Sequence, residues 1–150
     1  MTGEQLAARW MAHRKVSQEL LDRVPDDQAD FRPWPGAMTV AALGAHIALA
    51  HHMFTTVAAN DEAQPPDAAS VPQDLPGVRA LMRRLTEEDL ATLQGLDAQA
   101  LAQARSRRGR EQAAEGFVLD AREHEIHHKG ELFEYVRILG AAEVPPWVMR

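Results

Sequence analysis

The sequence predicts an all-α protein, a four-helix bundle with a long crossover loop between its second and third helices. Three observations lead there. Prolines and glycines divide the 150 residues into four long stretches, and each stretch carries apolar residues at alternating steps of three and four, the spacing of one helical face. No stretch shows a convincing alternation of polar and apolar residues of the kind a strand needs. A proline-rich segment between the second and third stretches is too long for a tight turn. Residues 1–150 are read as a single domain, a size at which one hydrophobic core suffices.

The first helix spans residues 2–24. Thr2 and Gln5 supply a capping box, Leu6, Trp10, His13, Ser17, Leu20 and Val24 keep the inward spacing, and Pro25 ends it. Between residues 25 and 38 the run Pro33-Trp34-Pro35-Gly36 excludes regular helix and interior strand. Thr39 is a good N-cap for the second helix, residues 40–59. From Asn60 to Pro76 the composition turns to Asp, Ala, Ser and four prolines, a loop long enough to be a linker or to cover a site. The third helix, residues 77–94, turns Val78, Leu81, Met82, Leu85, Leu90 and Leu93 inward and is closed by Gly95. Residues 97–110 read as a helical turn with extended chain, or more simply as a solvated basic loop carrying Arg105, Arg107, Arg108 and Arg110. The fourth helix, residues 111–139, is stopped by Gly140 and Pro145-Pro146. Trp10, Trp34, Phe54 and Tyr135, with Met11, Met38, Met53 and Met82, are expected as packing or loop-anchoring residues.

Composition narrows the function. With 16 Lys and Arg against 22 Asp and Glu the net charge is −6, which disfavours nucleic acid as a partner, because phosphate neutralisation needs a basic surface. The chain has no cysteine, so disulfides, thiolate nucleophiles and Cys-ligated metals are excluded. Any metal must be held by His, Asp or Glu. The first ten residues show no basic region followed by an apolar run, which predicts a cytoplasmic protein. The apolar stretch of residues 39–59 contains His46, His51 and His52 and is read as a soluble core helix rather than a membrane span.

Seven histidines in so short a chain invite a search for convergence. At roughly 100° per residue, His46 falls within the apolar stripe of the second helix, beside Leu43, Ala50, Met53 and Val57. His52 points away from that stripe and His51 lies at its edge, so both are expected at the surface or its boundary. On the fourth helix Phe117, Ala121, His124, His128, Leu132, Tyr135 and Leu139 form the inward face. Imidazoles four residues apart on one face can reach one ion. His127 lies on the flank, suited to the rim of a site, and Glu131 comes near enough to accept a hydrogen bond or approach an ion. Each inward histidine alone is more simply a hydrogen-bonded core residue, but three on two packed helices would cost several kcal/mol if uncompensated. One divalent cation satisfies all three. Neutral imidazoles without thiolates suit Zn(II) or Ni(II) first, and Fe(II), Co(II) or Mn(II) next. Three protein ligands leave a coordination position open, as in catalytic sites.

The run from His124 to Leu132, followed by Tyr135, Arg137, Gly140 and Pro145-Pro146, resembles the C-terminal signature of the DinB/YfiT-like superfamily. The segment from Thr39 to Ile47 is similar to its second-helix signature. The resemblance covers essentially the whole chain and implies a four-helix bundle, often a homodimer, with a divalent ion bound by His46, His124 and His128. Lys129 and Glu131 stand where the family more often has Arg and Gln. Arg137 matches a family position, although an exposed helix charge explains it equally well.

Three functions follow as expectations. The first is a metal-dependent enzyme resembling the thiol S-transferases and thiol-dependent isomerases of the superfamily, acting on a small molecule with a low-molecular-weight thiol as cosubstrate. The second is a metal-dependent hydrolase, since His124-Glu125-x-x-His128 matches the zinc-peptidase pattern in which Glu125 would be the general base. A peptidase proper is disfavoured, because no histidine follows His128. The third is a metal-binding stress-response protein without catalysis.

Overall fold

The computed structural model describes residues 1–60, 63 and 65–140. Four long helices, α1 (Gly3–Asp22), α2 (Val40–Asn60), α3 (Leu75–Gln94) and α5 (Ala114–Ile138), form the bundle. Between the last two lie a one-turn helix α4 (Ala98–Ala102) and a hairpin of β1 (Ala104–Arg107) and β2 (Arg110–Ala113). The long connection after α2 contains a 3-10 turn, Ala68–Ser70. The stop signal at Pro145-Pro146 falls outside the described residues.

Local chemistry sets the boundaries. The Thr2 hydroxyl accepts from Gln5 N at 3.2 Å while the Gln5 side chain accepts from Thr2 N at 3.0 Å, the reciprocal capping box that the sequence predicts. Thr39 Oγ1 accepts from Ala42 N at 3.1 Å and opens α2. The third long helix starts at Leu75, two residues before the predicted start: Asp74 caps Gly77 N, and Pro76 sits in the first turn, where its missing N–H is no loss. The last helix starts at Ala114, not at residue 111, because Glu111 to Ala113 pair with β1.

The hairpin corrects the expectation of no strand and of a solvated basic loop. Arg105 pairs with Gln112 and Arg107 with Arg110 in an antiparallel ladder, closed by Arg108 and Gly109 with φ of 49° and 80°. Two central residues with positive φ match the twist of the flanking strands. The strands read Ala-Arg-Ser-Arg and Arg-Glu-Gln-Ala, so no apolar alternation announces them.

Among the described residues the core falls into two apolar clusters, one toward each end of the bundle. One joins Leu20, Leu43, Ile47, Met82, Leu132 and Val136; the other joins Leu6, Trp10, Val57, Leu93, Phe117 and Val118. The inward spacing expected of α1 holds throughout: Leu6, Trp10, His13, Ser17, Leu20 and Val24 are all buried. Gly44 brings α2 close to its neighbours, since a Cβ there would lie 2.9 Å from both Leu21 and Val78. By length and composition Val40–Ala59 is apolar enough to cross a membrane, but Val40, Leu43, Ile47 and Val57 are buried in the core. Trp34 and Met38 are exposed rather than packed.

Between the two apolar clusters the sequence order of every long helix places a polar waist. It contains His13, Arg14 and Ser17 of α1, His51 and Thr55 of α2, Thr86 and Asp89 of α3, and Glu125 and Lys129 of α5, all buried. Buried polar groups require partners, and their pairing across the waist fixes how the four helices face one another.

Candidate metal centre

The three predicted histidines meet at one edge of this waist. His46 Nε2 lies 3.2 Å from His124 Nε2 and 3.2 Å from His128 Nε2. Together they form a group that could hold a metal ion. Four ligands at metal–nitrogen distances of ~2.0–2.1 Å in a tetrahedron stand about 3.3 Å apart, so the spacing suits one shared ion. Hydrogen bonding alone fits poorly, because His46 Nε2 can donate one proton and faces two imidazole nitrogens. The donor set and the spacing therefore fit a divalent cation.

Electrostatics keep the ligands ready. Burial, reinforced by the charges of His128, His46 and His127, lowers the His124 pKa to about 4. Burial and His128 likewise lower that of His46. Both are neutral at pH 7 with lone pairs free, the form that metal binding requires. Glu131 Oε2 lies 2.6 Å from His128 Nδ1; the carboxylate accepts the Nδ1 proton and leaves Nε2 as the ligand atom. His124 has no such support, for its buried Nδ1 lacks a partner among the described residues, and its ring is set by packing against His128 and Phe54. Replacing Glu131 by Ala should weaken metal binding ~10–100-fold, read by competition with a chromogenic chelator. The side chain is 41% exposed, so the fold should survive; unchanged affinity would show that the Glu131 contact does not tune the site.

Other expected residues sit differently. His127 is exposed, its ring 4.8 Å from that of His128 and its Nε2 3.6 Å from Glu131, a rim position. Arg137 pairs with Glu134 at 2.7 Å and lies over the Phe133 ring, so its contacts are those of an exposed helix charge. Glu125 is the main correction. Its carboxylate is completely buried and accepts from Arg14 Nε and Nη2 at 2.8 and 2.9 Å, Trp10 Nε1 at 2.6 Å and Ser17 Oγ at 2.9 Å. Burial would raise its pKa, but the Arg14 charge and hydrogen bonds outweigh it and hold the group ionised. With its oxygens engaged from α1, Glu125 has no lone pair directed at a water beside the histidines and cannot serve there as general base.

His51, expected at the boundary, is also buried. It stacks on Trp10 at 4.0 Å and reaches Asp89 at 2.9 Å, while His52 reaches the other Asp89 oxygen at 2.7 Å. Burial lowers the His51 pKa, whereas the hydrogen bond to Asp89 raises that of His52. Asp89 was legible in principle: it lies four residues from both Leu85 and Leu93, on the buried face of α3.

A cavity of about 800 Å³ opens beside the histidines, within the size range of small-molecule sites. His46 and His124 form part of its wall; Met53, Phe54 and Val57 of α2 supply apolar surface, and Ala63, Pro65 and Pro66 bring the crossover loop to it. The hairpin contributes Ser106, Arg107 and Arg108, which the sequence alone left in a solvated loop. Its one early signal was the Arg-Gly pair at residues 108–109.

Comparison with known proteins agrees with this architecture. The Bacillus subtilis (strain 168) protein YjoA is 30% identical over 149 residues, covering 97% of this chain and 96% of that protein. The crystal structure of that DinB-like protein gives a TM-score of 0.84 at 29% identity over 97% of this chain and 98% of the other. A DinB-like protein from Bacillus cereus gives a TM-score of 0.81 at 21% identity, with 95% of each chain covered. The likeness of fold extends to a mutant of mycothiol-dependent maleylpyruvate isomerase, with a TM-score of 0.59 and 14% identity over 97% of this chain and 65% of that one. The DinB family model matches residues 1–148. The chain therefore belongs to the DinB family.

Proposed function

We propose that the protein is a metal-dependent enzyme that holds one divalent ion, Zn or Ni, on His46, His124 and His128 and uses it to activate a low-molecular-weight thiol toward a small electrophilic substrate. The observation that carries this reading is the convergence of three imidazole nitrogens, two of them, from His46 and His124, on residues that line a small-molecule cavity. A divalent ion there would supply Lewis acidity, lowering the pKa of a thiol or water that reaches its open position. The chain has no cysteine, so a sulfur nucleophile must arrive as a cosubstrate. The isomerase of similar fold is named as mycothiol-dependent, and a thiol cosubstrate is what a cysteine-free chain needs for such chemistry.

The residues divide the work. Glu131 holds the His128 ring and its tautomer, and adds a negative charge that favours a cation. Met53, Phe54 and Val57 keep water away from the reacting sulfur. The hydrolase reading loses its base, because Glu125 is bound to Arg14.

The test uses zinc- or nickel-loaded protein, the neutral thiol N-acetylcysteamine and chlorodinitrobenzene. Sulfur bonds to the ring carbon, chloride departs with the carbon–chlorine electrons, and the thiol proton goes to buffer. A free thiol is only slightly ionised near neutral pH, so activation should raise the rate about tenfold or more. His46→Ala should return it to background. A wild-type rate equal to that of protein-free metal would overturn the reading.

A further inference from the structure

We propose that Arg107 and Arg108 form a carboxylate-binding subsite at the hairpin end of the cavity, so that one of the two reactants is an anion with an apolar body. The inference deepens the proposed function and rests on it only in calling the bound molecule a reactant.

The four hairpin arginines are not equivalent. Arg105 donates from Nε to Ala58 O at 3.1 Å and from Nη2 to Gln103 Oε1 at 2.9 Å, tying β1 to the end of α2. Arg110 pairs with Asp120 at 3.0 Å. These two hold the hairpin in place. Arg107 and Arg108 line the cavity, and among the described residues neither is joined to a carboxylate. Arg107 is partly buried and lies over the Phe54 ring at 5.7 Å, and the Phe54 ring is itself 6.1 Å from that of His124. One aromatic side chain thus links the guanidinium to the histidine centre. Burial and the charge of Arg108 both disfavour the cationic form of Arg107.

Arg108 holds φ at 49° as the first central residue of the hairpin turn, and this turn sets it beside Arg107 at the cavity. The result is a cationic end on the cavity of a protein whose net charge is −6, separated from the histidines by the apolar wall of Met53, Phe54 and Val57. Guanidinium groups bind carboxylates with charge-assisted, often bidentate hydrogen bonds, and the apolar wall fits a short hydrocarbon or aryl segment between the two polar ends. The carboxylate can belong to the thiol or to the electrophile.

The probes are 4-phenylbutyrate and its neutral amide, titrated by calorimetry into the wild-type protein. The acid should bind about tenfold more tightly than the amide, the scale of a charged hydrogen bond. The preference should vanish in Arg107→Gln/Arg108→Gln, persist in part in Arg107→Lys, and persist in His46→Ala. Because the hairpin side chains are outside the core, the double variant should keep its melting temperature. Equal binding of acid and amide overturns the proposal, as does a preference that survives the double arginine variant or disappears with His46→Ala, since either places the carboxylate elsewhere. If instead the acid preference behaves as expected while N-acetylcysteamine shows no accelerated reaction, the subsite stands and the thiol chemistry falls. Assigning the carboxylate to its source takes two further pairs, mercaptopropionate against mercaptopropionamide, and chloronitrobenzoate against its amide. An Arg-dependent fall in KM for the acid of one pair identifies that reactant, and its absence from both overturns the proposal for reactants.

Discussion

Glu125→Ala is expected to destabilise the protein by about 3–5 kcal/mol, the usual cost of leaving one partner of a buried ion pair alone. Arg14, wholly buried, would keep its charge with, among the described residues, only Thr86 Oγ1 as a hydrogen-bond partner at 2.9 Å. Trp10 Nε1 would lose its acceptor as well, and Ser17 Oγ would keep only the longer bond to His13 O at 3.4 Å. For a chain of this size each kcal/mol moves the melting temperature by ~2–4 °C, so a shift on the order of 10 °C should appear in thermal unfolding. Glu125→Gln, which preserves shape but not charge, should also destabilise. A catalytic base behaves in the opposite way, with activity lost and stability kept. A Glu125→Ala protein as stable as wild type would contradict the structural role assigned to this carboxylate.

That pair also shows what was legible in the sequence and what was not. The long helices, their caps and the crossover connection could be read because they depend on local spacing: Thr2 with Gln5, Thr39 before Val40, prolines in the connections. The histidine centre could be read because His124 and His128 share one face of a helix, and His46 lies in the stripe of the helix that packs against it. Arg14 was passed over, and Glu125 was read as a candidate base beside the metal face, because a charged helical residue is normally solvated. Yet Arg14 lies four residues after Trp10 and three before Ser17, inside the buried stripe. Its burial becomes visible only when Glu125 is brought across from another helix, a long-range fact that spacing does not carry. His51 and Asp89 were lost in the same way. The hairpin was hidden because its residues are polar on both faces and its fold comes from a two-residue turn and from ties such as Arg105 to Ala58 O.

The second large effect concerns the metal. His46→Ala, His124→Ala and His128→Ala should each weaken divalent ion binding by more than the ~10–100-fold that a supporting hydrogen-bond partner accounts for, because each removes a ligand outright. His127→Ala should leave binding nearly unchanged, since its side chain is 69% exposed and it is not one of the three converging histidines. The contrast matters more than any single value. His127 adjoins His128 in sequence, so a nonspecific attraction of ions to a histidine-rich helix would treat the two alike.

Elemental analysis of tag-free protein, after dialysis against Zn(II) or Ni(II) and then against metal-free buffer, tests the account at its centre. About one divalent ion per chain is expected, the number that three converging imidazoles can hold, with none retained by His46→Ala. Wild-type protein that retains no ion after both dialyses, or a His46→Ala variant that retains as much as wild type, would contradict a metal centre built across α2 and α5.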